Sequence, residues 1–110
     1  MIKKTFKKKT LKNKKIKVVI KPSTNTKKKY MAIFFKDGKK IKTTHFGAAG
    51  MSDYTKHKDK ERKQRYLNRH RKRENWDDYK SAGSLSRYIL WGEPTLRASI
   101  NSYKKRFNLI

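Results

Sequence analysis

The chain has 110 residues, of which 34% are hydrophobic and 37% charged, and this length has room for one domain with a small core. The 33 Lys and Arg against 8 Asp and Glu give a formal net charge of +25. Self-repulsion at this charge destabilises a compact chain unless an anion neutralises it, so we expect a polyanionic partner. The absence of Cys excludes disulfides, thiolate zinc sites and Cys nucleophiles.

Residues 1–14 are predicted to form a flexible basic arm. Phe6 and Leu11 are the only sizeable apolar residues in it besides Met1 and Ile2, which is too little for a core. No apolar run in the chain approaches the roughly 20 residues that span a bilayer, and no signal-peptide core follows the Lys-rich start. We therefore expect a protein that has no transmembrane segment and is not secreted.

Residues 15–46 are predicted to form a three-stranded antiparallel sheet. Residues 15–21 and 30–35 are apolar runs, and residues 39–46 alternate in part, with Ile41, Thr43 and His45 on one side. Asp37 and Gly38 separate the second and third runs, and both residue types accept the positive φ of a tight hairpin turn. The Lys-bearing face of this sheet is expected to face solvent or phosphate.

Residues 59–73 are predicted to form a basic helix. The segment contains no Gly or Pro, and Asp59 and Glu61 stand near its start, where the helix dipole favours negative charge. Only Tyr66, Leu67 and His70 offer a stripe for burial. The sequence therefore predicts a helix whose circumference is mostly cationic.

Two further helical segments are predicted towards the C-terminus. Ser84 or Ser86 is expected to cap a short helix through Trp91, and Gly92 to end it. Pro94 suits a first helical turn. The last helix carries an apolar stripe at helical spacing, Leu96, Ile100, Tyr103 and Phe107. The predicted class is α+β: one small domain over residues 15–110, with strands at about 15–46 and two or three helices at about 58–108.

From Phe46 the chain reads FGAAGMSDYTKHKDKERKQRYLNRHRKRENW and then SAGSLSRYILWGEPTL. This pattern, FGAxGxxDYTxHKD followed by YLxRH and LSRYILW, resembles a family of small basic proteins of unknown function encoded by large nucleocytoplasmic DNA viruses. The resemblance covers about half of the chain. It implies a viral setting, in a virion or a viral replication compartment of the host cytoplasm or nucleus, and brings no established activity. The motif residues are expected to be structural: Phe46, Gly47, Gly50, Asp53, Tyr54, His57, Trp76, Ser86, Arg87 and Trp91.

Lysines and arginines are the candidate nucleic-acid ligands, because Arg makes bidentate phosphate contacts and Lys supplies point charge. The alternative for the basic helix is a solvated face with intrahelical pairs such as Glu61 with Arg65. A nuclear-import role for the N-terminal lysines is compatible with either. The predicted contacts are Lys3, Lys4, Lys7, Lys8, Lys9, Lys12, Lys14, Lys15, Lys27, Lys28, Lys29, Lys39, Lys40, Arg62, Lys63, Arg65, Arg69, Arg71, Lys72 and Arg73.

Catalytic and cofactor-binding roles find little support. The turn from Phe46 to Gly50 lacks the Gly-Lys-Ser/Thr of a P-loop, so we interpret it as a connector. The residues Asp53, His57, Asp59 and His70 suggest metal binding, but they show no two-metal arrangement of carboxylates. Asp53 and Thr55 more simply cap the turn into the helix. We expect no enzyme activity, no metal and no cofactor.

Two roles are open for each of three side chains, Trp76, Trp91 and Arg87. Trp76 and Trp91 would either stack on unpaired bases or anchor the core with hydrogen-bonded indole nitrogens. Arg87 would either pair with Asp77 or Asp78 or extend the basic surface.

The sequence therefore predicts a non-enzymatic, sequence-tolerant nucleic-acid-binding protein that binds or condenses DNA in a large DNA virus. One alternative is a minor structural virion protein, in the capsid or lining the core, that holds genome, membrane or acidic protein. A third is an RNA- or ribosome-associated factor. DNA is favoured over RNA as the partner, virion structural proteins are further candidates, and the oligomeric state is left open.

Overall fold

The computed structural model describes residues 15–110, so the predicted arm of residues 1–14 and its seven lysines lie outside the described residues. Three strands come first: β1 (Lys17–Pro22), β2 (Lys28–Lys36) and β3 (Lys39–Ala48), in the order β1-β2-β3 with both pairs antiparallel. The helices follow as α1 (Tyr54–His57), α2 (Lys60–His70), α3 (Ala82–Leu85) continued by a π-helical turn (Ser86–Leu90), and α4 (Leu96–Arg106). The predicted α+β class is confirmed.

The hairpin between β2 and β3 forms at the predicted dipeptide. Asp37 and Gly38 have φ values of 52° and 77°, which is the backbone of a tight turn that matches the strand twist. A register shift between Phe34 and Phe35 interrupts the pairing just beyond it. Because this bulge displaces Ile41 from the alternation, Ile41 is 45% exposed and does not continue the side formed by Thr43 and His45.

One face of the sheet packs on the helices and forms the core. Val18, Ala32, Phe34 and Phe46 are buried there against a second set from the helical half and the C-terminal segment, Leu85, Ile89, Leu90, Tyr103 and Leu109. Strand alternation puts Val19, Met31, Ile33 and Phe35 on the opposite face, where all are half-buried. The outer face is therefore more apolar than the expected lysine-bearing surface.

The helix boundaries differ from the predicted ones because side chains near each helix end set them. Asp59 caps α2 as expected, but α2 ends at His70, where Glu74 binds the His70 ring, and residues 71–73 form a turn. The short α3 is capped by the Ser81 hydroxyl, which accepts from the Ser84 amide at 3.1 Å. Because Ser81 holds this position, neither Ser84 nor Ser86 is the N-cap, and the Ser84 side chain is buried.

The last two helical segments meet at a close approach. The Trp91 amide donates to the Ser86 carbonyl at 3.0 Å, a bond over five residues that makes Ser86–Leu90 a π-helical turn. A Cβ on Gly92 would lie 2.1 Å from the Tyr88 carbonyl oxygen, so only glycine fits after this turn. Thr95 caps α4, which places Pro94 before the cap and not in the first turn.

Candidate nucleic-acid interface

An exposed arginine stripe runs along α2. Arg62, Arg65 and Arg69 are spaced three and four residues apart, which puts them on one face of the helix, and all three are exposed. The intrahelical pair between Glu61 and Arg65 that the alternative reading requires is not formed. The buried residues of α2 are Tyr66 and Leu67, and His70 is half-buried beside them. The arginine stripe therefore presents its guanidinium groups to solvent without an intramolecular carboxylate.

The start of α2 is negative as predicted. The Asp59 carboxylate accepts from the amides of Glu61 and Arg62 at 3.0 and 3.3 Å. The backbone hydrogen bond from Arg62 is the main cause of the lowered pKa of Asp59, and the positive charge of Arg65 lowers this pKa further. Asp59 thus caps the helix terminus and forms no ion pair with an arginine of the stripe, although the charge of Arg65 acts on it at a distance.

Two of the predicted ligands, Lys29 and Lys63, are used inside the fold. Lys29 Nζ lies 2.5 Å from the Asp53 carboxylate, and these side chains are only 9% and 2% exposed. Lys63 Nζ donates to the Gly92 carbonyl at 2.7 Å and lies 4.9 Å from the centre of the Tyr54 ring. Burial lowers the pKa of Lys63, and the charge of Arg87 adds to the effect. Both lysines are therefore bound inside the fold and do not belong to the exposed basic surface.

Four of the remaining predicted lysines divide between two ends of the β2–β3 hairpin, whereas Lys72 is exposed in the turn after α2. Lys27 and Lys28 are exposed at the start of β2, and Lys39 and Lys40 are exposed beside the hairpin turn. At 3.3 Å per residue these two ends lie roughly 26 Å apart. Lys15 is exposed and lines a cavity of about 750 Å³ with Asp37 and Gly38, at the turn end. The cations thus form two patches that an extended polyanion spans more readily than a small anion.

Residues from all three motif segments line a cleft of about 350 Å³. Its walls come from the turn after β3, from α2 and from α3 with its π-helical turn, and Lys28 and Arg69 stand on its rim. Gly47 has a φ of 79°, which other residues rarely adopt, and a Cβ there would also lie 2.7 Å from Leu90 Cδ1. Gly50, with φ of 83°, completes the turn. The loop therefore serves as the predicted connector between sheet and helices.

An aromatic column lines this cleft. The Tyr66 ring lies between Trp91, with centroids 4.4 Å apart and planes at 5°, and His70, with centroids 4.2 Å apart and planes at 26°. His57 contacts Trp91 at 5.2 Å between centroids. Trp91 packs against the core as predicted, but its indole nitrogen has no hydrogen-bond partner among residues 15–110. The Trp76 nitrogen donates to Glu74 at 2.9 Å, but Trp76 is not part of the core. Stacking is therefore satisfied within the fold and does not require a base.

The four residues that suggest a metal site are not brought together. Asp53 is buried, accepts from the Thr55 amide and hydroxyl, and binds Lys29. His57 Nδ1 accepts from the Asp59 amide at 2.9 Å, while His70 Nδ1 binds Glu74 at 2.8 Å. No group of three His, Asp or Glu in the described part of the chain is arranged to hold a metal ion.

Of the two predictions for Arg87, the ion pair with Asp77 or Asp78 is wrong, and the extension of the basic surface stays a prediction. The Arg87 guanidinium lies between the rings of Trp76 and Tyr88, 5.2 and 4.7 Å from their centres. Sequence reasoning also missed Arg106, which lies 4.6 Å from the centre of the Tyr88 ring, and Glu74. The spacing of Glu74 four residues after His70 was a usable signal, whereas Arg106 resembles every other cation at a helix end.

Within residues 15–110, every helix is too short or too polar to cross a lipid bilayer. The family described as "Family of unknown function (DUF5754)" matches residues 18–70, which hold the sheet, α1 and α2. No curated protein and no solved structure matches the chain. Over the sheet and the basic helix, the chain is therefore similar to an uncharacterised family, and its function has to be argued from its own residues.

Proposed function

We propose that this protein is a non-enzymatic nucleic-acid-binding protein that holds the phosphate backbone without sequence preference. The observation that carries the proposal is the lack of internal neutralisation: among the Lys and Arg of residues 15–110, only Lys29 lies within ion-pair distance of a carboxylate. A chain with a net charge of +25 whose cations face solvent gains most from a ligand that releases many counterions.

The arrangement of the cations favours a polymer over a small anion. Exposed arginines line α2, and exposed lysines stand at both ends of a hairpin roughly 26 Å long. Double-stranded DNA presents one charge per about 1.7 Å of its axis, so an extended duplex can contact both ends at once. Nothing in the fold resembles a helix or finger that reads base edges, which supports binding without sequence preference.

The setting proposed is a large DNA virus, where the protein binds or condenses the genome in the virion or the replication compartment. The resemblance of the FGAAGMSDYTKHKD, YLNRH and LSRYILW segments to viral proteins supports this setting.

A structural virion role is the second candidate, and the outer face of the sheet favours it. Val19, Met31, Ile33 and Phe35 form an apolar strip on that face, and none of the four belongs to the core between sheet and helices. A capsid or core protein would bury such a strip while the basic side faces the genome.

The test is a titration of the full chain with two unrelated DNA duplexes, a single strand and a duplex RNA, each at several salt concentrations. We expect similar affinities for the two DNA duplexes and a steep fall of log K with log salt. A shallow salt dependence, or a strong preference for one sequence, contradicts the proposal. Tighter binding of RNA than of DNA at every salt concentration moves the function to an RNA-associated factor.

A further inference from the structure

Arg87 is a half-buried cation whose hydrogen-bonding capacity is almost unused. Its Nη1 donates to the Trp91 carbonyl oxygen at 3.3 Å, and its buried Nε has no hydrogen-bond partner in the described part of the chain. A guanidinium carries five donors in a rigid fork, and an unpaired donor held away from water, as the Arg87 Nε is, destabilises the fold. The Arg87 site is therefore incomplete with respect to an acceptor.

A second arginine meets Arg87 from a distant part of the chain. Arg106, the last residue of α4, shares the Tyr88 ring with Arg87, at 4.6 and 4.7 Å from its centre. Burial lowers the pKa of Arg87, and the positive charges of Arg106 and of Arg71, which follows α2 directly, lower it further, while no carboxylate contributes an opposing effect.

Packing alone does not account for this convergence. Contacts with Trp76 and Tyr88 explain why one guanidinium lies on aromatic rings, because cation–π attraction stabilises it there. They do not explain why Arg87 and Arg106 share one ring with no carboxylate paired to either, since like charges in a partly desolvated site repel one another. An anion with several acceptor oxygens removes both the repulsion and the unpaired donor.

We propose that Arg87 and Arg106 form a phosphate-binding site, occupied by a backbone phosphate of the nucleic acid if the proposed function holds. Phosphate supplies oxygens in the planar spacing that a guanidinium binds with two hydrogen bonds. The site differs from the arginine stripe of α2, because its central cation is half-buried and held in place by two aromatic rings. It therefore fixes one phosphate at a defined position, whereas the stripe attracts the polymer diffusely.

The test compares Arg87→Met with Arg97→Met in the full chain. Both changes remove one positive charge, Met keeps an apolar stem for the aromatic contacts, and Arg97 is an exposed residue of α4 outside the cluster. The probes are inorganic pyrophosphate and a short DNA duplex, and the readouts are their affinities and the rise in melting temperature at fixed ionic strength. We expect R87M to bind each probe about tenfold more weakly than R97M.

The outcomes show whether the phosphate-binding site exists and whether its ligand is nucleic acid or a soluble polyphosphate. Equal losses in R87M and R97M for both probes overturn the site, and wild-type DNA binding with a steep salt dependence then leaves the proposed function intact. If R87M binds pyrophosphate more weakly than R97M does but the two variants bind DNA equally, the site is retained and its ligand is a soluble polyphosphate. If wild type binds neither probe, both the site and the proposed function fail. Should R87M not fold, the exposed Arg106→Met variant carries the same comparison.

Discussion

The Trp91 indole lies parallel to the Tyr66 ring, with 4.4 Å between centroids and 5° between planes, and this contact fastens α2 to the turn after the π-helical segment. Tyr66 is 6% exposed, and its hydroxyl has no hydrogen-bond partner among the described residues. Burial raises the pKa of Tyr66, and the charge of Glu74 adds to this shift. The ring of Tyr66, and not its hydroxyl, therefore carries the stabilising contact.

Tyr66→Ala is expected to lower the free energy of unfolding by about 3 to 5 kcal/mol, because it removes a ring packed on both faces. Tyr66→Phe keeps the ring and is expected to change stability by less than about 1 kcal/mol, because the hydroxyl makes no internal hydrogen bond. Denaturant melts of both variants provide the measurement. Equal destabilisation in both would contradict the assignment of stability to the ring.

The buried pair of Lys29 and Asp53 predicts a non-additive double-mutant cycle. Asp53→Ala leaves the Lys29 ammonium buried without a counter-charge and removes the cap of α1, so we expect a loss of about 3 to 5 kcal/mol. Adding Lys29→Met to Asp53→Ala should restore part of this loss. The cycle is measured by denaturant melts, and strictly additive losses would show that the pair does not interact.

Two buried tyrosines predict weakened stability at alkaline pH. Burial raises the pKa of both Tyr66 and Tyr103 above the ordinary value of 10.0, so the folded state keeps protons that the unfolded state releases. Their contribution is complete below pH 10 and is lost as pH rises beyond it, at most about 1.4 kcal/mol per pH unit for each group.

Tyr103→Phe is the control for this alkaline loss, because it removes one of the two phenols and keeps the ring. Thermal melts between pH 9 and 12 should show a shallower decline for Y103F than for wild type. Tyr103 also donates to the Tyr79 carbonyl at 2.5 Å, so Y103F should start from a lower stability at neutral pH. Parallel declines in the two proteins would exclude Tyr103 as a source of the alkaline loss.

Features set by neighbouring residues were predictable from the sequence. The hairpin follows from Asp37 and Gly38, whose backbone accepts positive φ, and the start of α2 follows from the Asp59 side chain and the amides next to it. The apolar spacing along α4 likewise predicted the helix that buries Tyr103. Each of these depends on residues within about one turn of helix or hairpin.

Features set by distant residues were not predictable. Lys29 meets Asp53 across 24 residues, so nothing in the local pattern separated this lysine from the exposed ones. The surroundings of Arg87 join α2, the π-helical turn and α4, and only the assembled fold shows that no acid lies among them.

The salt dependence of DNA binding by an α2 variant tests the central claim most directly. In Arg62→Gln with Arg65→Gln and Arg69→Gln, three exposed charges of the stripe are removed while helix propensity is kept. The control changes the exposed Lys21, Arg97 and Lys105 to Gln and so has the same net charge. If the stripe holds the backbone, the slope of log K against log salt should become shallower by about 2 to 3 in the stripe variant and by less in the control, with both proteins folded. An unchanged slope in the stripe variant would contradict the account.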